Sequence, residues 1–139
     1  MTNPKKRIAV IIINYNGEKL LNKFLPSIIE FSDKKISDIY VIDNNSDDDS
    51  VTLLKSKFPS VNTIINNKNY GYAKGYNEGT KKIKHDYFVF INSDVEVTKN
   101  WLNPIFDTLE SNNKIGTCQP KIISYNNKKF FDYAGASGG

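Results

Sequence analysis

The stretch Ile8-Ala9-Val10-Ile11-Ile12-Ile13 is continuously apolar, mostly β-branched, and stops abruptly at Asn14-Tyr15-Asn16. An apolar run without alternation describes a strand buried on both faces, as in a parallel sheet. The residues after it fit that reading. Leu20, Leu21, Phe24, Leu25, Ile28 and Ile29 recur at helical spacing and predict an amphipathic helix from about Glu18 to Phe31. Ile39 to Ile42 reads as a second buried strand, Ser50 to Phe58 as a short helix closed by Pro59, and Val61 to Ile65 as a third strand. Gly71 to Lys84 is a helix candidate despite Gly75 and Gly79, each costing roughly 1 kcal/mol in a helix interior. Tyr87 to Ile91 is the clearest strand. Thr98 is expected to cap a helix carrying Trp101, Leu102, Ile105, Phe106 and Leu109, and a further strand is expected within Ile115 to Ile123, weakened by Pro120. Strands alternating with helices imply right-handed βαβ units, so the class is α/β with a mostly parallel Rossmann-like sheet flanked by helices.

Composition agrees with one ordinary globular domain across residues 1–139, with 24% charged and 39% hydrophobic residues. A membrane-spanning helix needs roughly 20 apolar residues, and the run at Ile8 is far shorter. It also meets polar residues without a small-residue cleavage site, unlike a secretory signal. The single Cys118 forms no internal disulfide, which suits a reducing cytoplasm. The net charge of +4 comes from scattered lysines that read as solvated helix ends and loops, so no nucleic-acid partner is expected.

In open parallel sheets ligands bind beyond the carboxyl ends of the strands. Polar clusters stand at each such end: Asn14-Tyr15-Asn16, Asp43-Asn44-Asn45, Asn92-Ser93-Asp94, and Asn66, Asn67 and Asn69 before Gly71. Any one of these is the usual composition of a turn; four on one edge favour a site. Asp43 is suited to accept hydrogen bonds from a base N–H or ribose hydroxyls. Asp94 is suited to a hard divalent cation, following what reads as a buried strand. Gly71 and Gly75 would let backbone approach a ligand, and a helix beginning near Gly71 would favour phosphate.

Several sharper motifs are excluded. Asp43, Asn45, Asp47 and Asp49 mimic a calcium loop, but Asp48 and Leu54 occupy the positions that require glycine and glutamate. The acidic run more simply supports the next helix N-terminus. No dinucleotide fingerprint or P-loop follows the first strand, and one His and one Cys make no zinc cluster. His85 reads as a loop residue before a strand.

Val10 to Gly17, Val41 to Ser50, Asn69 to Asn77 and Phe90 to Val97 together resemble the ordered motifs of family 2 glycosyltransferases with the GT-A fold. Ile115-Gly116 through Pro120-Lys121-Ile122, with Tyr133-Ala134-Gly135, is similar to the rhamnosyltransferase-like branch. The resemblance implies transfer of a sugar, with inversion, from a nucleoside diphosphate donor to a glycan or lipid-linked acceptor. UDP- or dTDP-linked donors are expected ahead of GDP-linked ones. The nucleotide-sugar residues it implies are Asn14, Tyr15, Asn16, Asp43, Asn45, Asn69, Gly71, Tyr72, Gly75, Asn77 and Ser93, with Mg or Mn held by Asp94 and Asn92. Asn92 departs from the family's Asp-x-Asp pattern and offers only a neutral oxygen. No carboxylate after Asp94 matches the family's base, which is expected beyond residue 139. The chain therefore reads as a truncated donor-binding half that can self-associate through an exposed edge, from a cytoplasmic parent at the inner membrane face. The alternative is a non-catalytic nucleotide-binding or scaffolding module. A sugar nucleotidyltransferase would want a glycine-rich loop after the first strand.

Overall fold

A computed structural model describes residues 6–133. They form two compact units, one reaching to Val97 and one from Thr98 onward. The first unit contains β1 (Ile8–Asn14), α1 (Glu18–Phe31), β2 (Ser37–Asp43), α2 (Ser50–Lys57), β3 (Asn62–Ile65), α3 (Tyr72–Thr80) and β4 (Tyr87–Ile91). Its four strands are all parallel, in the order β3-β2-β1-β4. Strand order therefore reverses between β1 and β4, the point where an open α/β sheet leaves a crevice.

The apolar run at Ile8 becomes the inner strand because both of its faces are covered. Ile8, Ala9, Val10, Ile11 and Ile12 are all at most 1% exposed. Alternation along the strand sends Ala9 and Ile11 to one face, where they join Ile42, Tyr76 and Ile83 beneath α3. Burial of each large aliphatic side chain contributes roughly 2 kcal/mol. On α1 the inward stripe is Leu21, Phe24, Leu25 and Ile28.

The glycines in α3 have a packing role. A Cβ on Gly75 would come within 2.5 Å of Ile13 Cδ1 and 3.0 Å of Asn44 Nδ2, and one on Gly79 would collide with Ile42. Their absence lets α3 lie directly on the ends of β1 and β2. Gly75 therefore serves helix-to-sheet contact, which corrects the expectation that it admits a ligand. The helix is also shorter than its pattern suggests, because the Lys82 and Ile83 N–H groups bond the Gly79 and Thr80 carbonyls in a tightening turn. β4 departs from the buried strand anticipated: Phe88 is 39% and Phe90 56% exposed.

The second unit holds α4 (Asn103–Ser111) and an antiparallel pair of β5 (Ile122–Ile123) with β6 (Phe131–Tyr133). Thr98 does not cap α4. Its carbonyl accepts the Trp101 N–H in a turn, and the helix starts later, with Pro104 in its first turn. Trp101 and Leu102 thus precede the helix. The strand expected within Ile115 to Ile123 contracts to Ile122–Ile123, beyond Pro120, and β6 is additional. Ala134 and Gly135 lie outside the described residues. No helix among the described residues is long and apolar enough to cross a membrane.

Candidate functional site

The carboxyl ends of β1 and β2 are joined by a buried polar knot. Asn14 Nδ2 donates to Asp43 Oδ2 at 2.9 Å and to Ser46 Oγ at 3.2 Å. The Ser46 N–H reaches Asp43 Oδ1 at 2.9 Å, and its hydroxyl reaches Asp43 Oδ2 at 2.7 Å. Asp43 is 0% exposed, so in this structure its carboxylate shapes the loops that border the site. Asn16 and Asn45 adopt positive φ, 50° and 65°, which asparagine tolerates better than most residues. Asn16 also links the two loops: its N–H donates to Ser46 Oγ, and its Oδ1 accepts the Asp47 N–H. Both asparagines are exposed turn residues.

A second knot centres on Asn44, only 2% exposed. Its Nδ2 donates to Asn69 Oδ1 and the Gly71 carbonyl, while its Oδ1 accepts from Asn66 Nδ2 and the Tyr70 N–H. All of its polar capacity is thus used on the segment leading into α3. Gly71 has φ 76° and ψ −172°, a region essentially reserved for glycine. That bend delivers Tyr72 to the first turn of α3. Sequence reasoning missed the roles of Ser46, Asn44 and Asn66. Only the first carried a local signal, an aspartate three residues before a serine in a turn.

The strands β1 and β4 part at the switch point around Tyr76. The Ile13 N–H donates to its hydroxyl at 3.3 Å, and the hydroxyl donates to the Ile91 carbonyl at 3.1 Å. Burial pushes this phenol well above its ordinary pKa. Tyr72 lies edge-on to Tyr76 with centroids 5.1 Å apart, and its hydroxyl donates to Asn92 Oδ1 at 2.8 Å.

Between these groups lies a cleft of about 410 Å³, lined by Asn14, Tyr15, Asn44, Asn69, Gly71, Tyr72, Asn92, Ser93 and Asp94, with Ile13 and Leu20 as apolar wall. This volume is within the range of small-ligand sites. The structure thus brings seven of the expected nucleotide-sugar and cation residues other than Gly71 to one cleft, Asn14, Tyr15, Asn69, Tyr72, Asn92, Ser93 and Asp94. Asp43, Asn16, Asn45, Gly75 and Asn77 are not in its lining, and Asn77 is exposed on α3. Asp94 is the only carboxylate in that lining. Among the described residues no three His, Cys, Asp or Glu side chains gather as a metal cluster.

Asp48 supports the loops behind the cleft. Its carboxylate accepts the N–H of Glu18, at the start of α1, and that of Ser50, at the start of α2. Burial acts to raise its pKa, but these hydrogen bonds prevail and hold it below the ordinary value. At the amino edge of the sheet a different cluster forms. Arg7 bonds Asp38 through Nε at 3.1 Å and Nη2 at 2.8 Å, and His85 Nε2 lies 2.8 Å from Asp38 Oδ2. Burial works to raise the Asp38 pKa, yet the hydrogen bonds and charges of His85 and Arg7 bring it below the usual value.

Comparison with known proteins agrees with this fold. The family described as glycosyl transferase family 2 matches residues 9–135. N-acetylgalactosaminyltransferase 4 of Drosophila melanogaster is 25% identical over 142 residues, covering 98% of this chain and 22% of the relative. An uncharacterized glycosyltransferase of Haemophilus influenzae is 30% identical over 111 residues, covering 78% of this chain and 34% of the relative. The chain spans less than half the length of these curated relatives. The crystal structure of S. aureus TarS in complex with UDP-GlcNAc superposes with a TM-score of 0.65 at 21% identity, covering 81% of this chain and 37% of that one. With the family match spanning most of its length and a GT-A neighbour sharing its fold, the chain belongs to glycosyl transferase family 2.

Proposed function

We propose that the switch-point cleft binds the nucleoside diphosphate sugar of a glycosyltransferase, with UDP- or dTDP-linked donors ahead of GDP-linked ones. The observation that carries this reading is one lining that combines neutral amide and hydroxyl groups, an exposed carboxylate and the start of α3. Amides and hydroxyls suit a base, ribose and sugar, and helix N–H groups suit phosphate. The similarity to TarS, whose crystal structures include complexes with UDP-GlcNAc and UDP, supports the same donor class.

The cleft also fits a divalent cation. Asp94 supplies one exposed carboxylate oxygen donor beside Ser93 and Asn92, and Mg or Mn commonly takes one or two protein carboxylates plus phosphate and water. Asp94 would hold such an ion, whose charge would offset that accumulating on a departing diphosphate. The rest of the proposal concerns the whole enzyme: inverting transfer to a glycan or lipid-linked acceptor at the cytoplasmic face of a membrane, with the base outside this cleft. A rhamnosyl donor remains the branch suggested by the sequence near Ile115.

Titration calorimetry with UDP, dTDP and GDP, with and without Mn, tests the donor assignment. One nucleotide should bind more tightly with Mn, and Asp94→Ala should remove about a tenfold gain, the scale of one charge-assisted contact. Binding indifferent to metal would favour the non-catalytic nucleotide module instead. A folded chain that binds none of the three would refute the donor site.

A further inference from the structure

The cleft has a charge of the wrong sign for the ligand proposed for it. Its lining holds the carboxylate of Asp94 and no lysine, arginine or histidine. A nucleoside diphosphate brings further negative charge, which such a lining repels until a cation arrives. Compensating charge stands at its border, on the segment that leads into α3.

Lys68 and Lys74 converge there on one ring. Each ammonium lies 5.3 Å from the centroid of Tyr70, within reach of a cation–π contact. Tyr70 is itself tied down, its N–H donating to Asn44 Oδ1 and its hydroxyl to Asn67 Oδ1. Its two chain neighbours, Asn69 and Gly71, both line the cleft. Lys68 adjoins Asn69. Lys74 lies three residues after Gly71, in a turn closed by the Gly75 N–H on the Gly71 carbonyl at 3.1 Å. Covalent reach thus puts both charges on the order of 10 Å from the lining, comparable with the Debye length of about 8 Å at physiological salt.

Without a ligand this placement is unfavourable. Two exposed like charges share one ring, and the first turn of α3 contains no acidic residue. Lys74 sits in that turn, against the positive end of the helix dipole. Glu78, one turn further on, is held by Lys81 at 2.7 Å. Neither Lys68 nor Lys74 forms an ion pair among the described residues. Local energetics oppose the arrangement, whereas an anion in the cleft would favour it.

We propose, resting on the donor-site reading above, that Lys68 and Lys74 form a basic rim that draws the diphosphate of the donor into the cleft. They act through their field, offsetting Asp94 before a metal ion arrives, and Tyr70 gathers the two charges beside the opening. The rim is therefore a specificity element for the charged part of the donor and is indifferent to its base.

The experiment reads the field by salt and by ligand charge. Calorimetry in metal-free buffer uses whichever of UDP, dTDP and GDP binds the wild-type chain tightest. Lys68→Gln/Lys74→Gln should weaken binding about fivefold at about 10 mM salt and less than about twofold at about 1 M, as the Debye length falls from about 30 Å to about 3 Å. The matching nucleoside, which carries no phosphate, should bind both proteins equally when followed by NMR shifts. Lys68→Arg/Lys74→Arg keeps the charge and should keep the affinity. Lys34→Gln/Lys35→Gln removes the same net charge just before β2, at the amino edge of the sheet, and should change little. Unaltered affinity at low salt in Lys68→Gln/Lys74→Gln would overturn the proposal. So would an equal loss in the amino-edge variant, which would assign the effect to net charge alone. A loss that persists at about 1 M salt or extends to the nucleoside would overturn it too, since the lysines would then act by shaping the loop. A folded wild-type chain that binds no nucleotide, with or without Mn, would instead remove the donor-site reading and this proposal with it.

Discussion

The carboxyl edge of the sheet and its amino edge are both tied by side-chain hydrogen bonds, but the groups that tie them differ. At the carboxyl edge the ties are largely amides: Asn14, Asn44, Asn66 and Asn69, three of them at most 6% exposed. At the amino edge the ties are ions, with Arg7 and Asp38 exposing 40% and 37% of their side chains. Taking a charge out of water costs several kcal/mol unless it is fully compensated, whereas an amide with all its bonds made costs far less. Buried amides therefore allow rigid loops around a cleft without filling it with fixed charge. The enclosed Asp43 is the exception, and it sits among donors from Asn14 and Ser46.

This contrast predicts unequal consequences for edits of similar size. The largest effect is expected from Asn44→Leu, which leaves the Tyr70 N–H and Gly71 carbonyl without their partner. We expect a loss of about 3 kcal/mol in urea unfolding, the same at pH 5 and pH 8 because no group in that knot titrates there. A loss below about 1 kcal/mol would mean the amide network does not hold the loop.

Gly71→Ala should come next. Open space surrounds the Cβ position, so only the backbone objects, and the expected cost is about 1–3 kcal/mol. Thermal unfolding that leaves the variant unchanged would show that the loop has a second conformation of equal energy.

Asp38→Asn should have the smallest effect, below about 1 kcal/mol at neutral pH because water screens this partly exposed pair. Its pH dependence distinguishes it. The folded-state pKa of Asp38 lies below its unfolded value, so the unfolded chain binds the extra proton as pH falls. The stabilisation is present above the ordinary carboxylate range and is lost as pH drops through the folded value. Urea unfolding of both proteins between pH 7 and pH 3 should show the wild-type advantage disappear at the acid end. An advantage that persists there would assign the contribution to packing.

Much of the sheet was legible because buried parallel strands leave an unmistakable apolar run, as at Ile8 to Ile13 and Ile39 to Ile42. The location of the cleft was legible for the same reason, since each run stops at a polar cluster on one edge. Which cluster residues face the cleft was not. Asp43 and Asn14 stand at paired register positions, yet only Asn14 contributes to the lining, a result of how loops far apart in sequence close. Gly75 and Gly79 were weighed as helix breakers because local propensity contains nothing about Ile13 and Ile42 beneath them. Thr98 satisfied the local pattern for a cap, but the helix begins near Pro104, whose fixed φ favours the first turn.

Tyr76 has a consequence for how this cleft could change over time. It spans the split between β1 and β4 by bonding main-chain groups at positions 13 and 91, not their side chains. Every residue other than proline at position 13 supplies the same N–H, and every residue at position 91 supplies the same carbonyl. The frame of the opening is thereby uncoupled from the identity of those neighbours. Selection, or a designer, could re-line the floor for a different ligand while leaving the doorway standing.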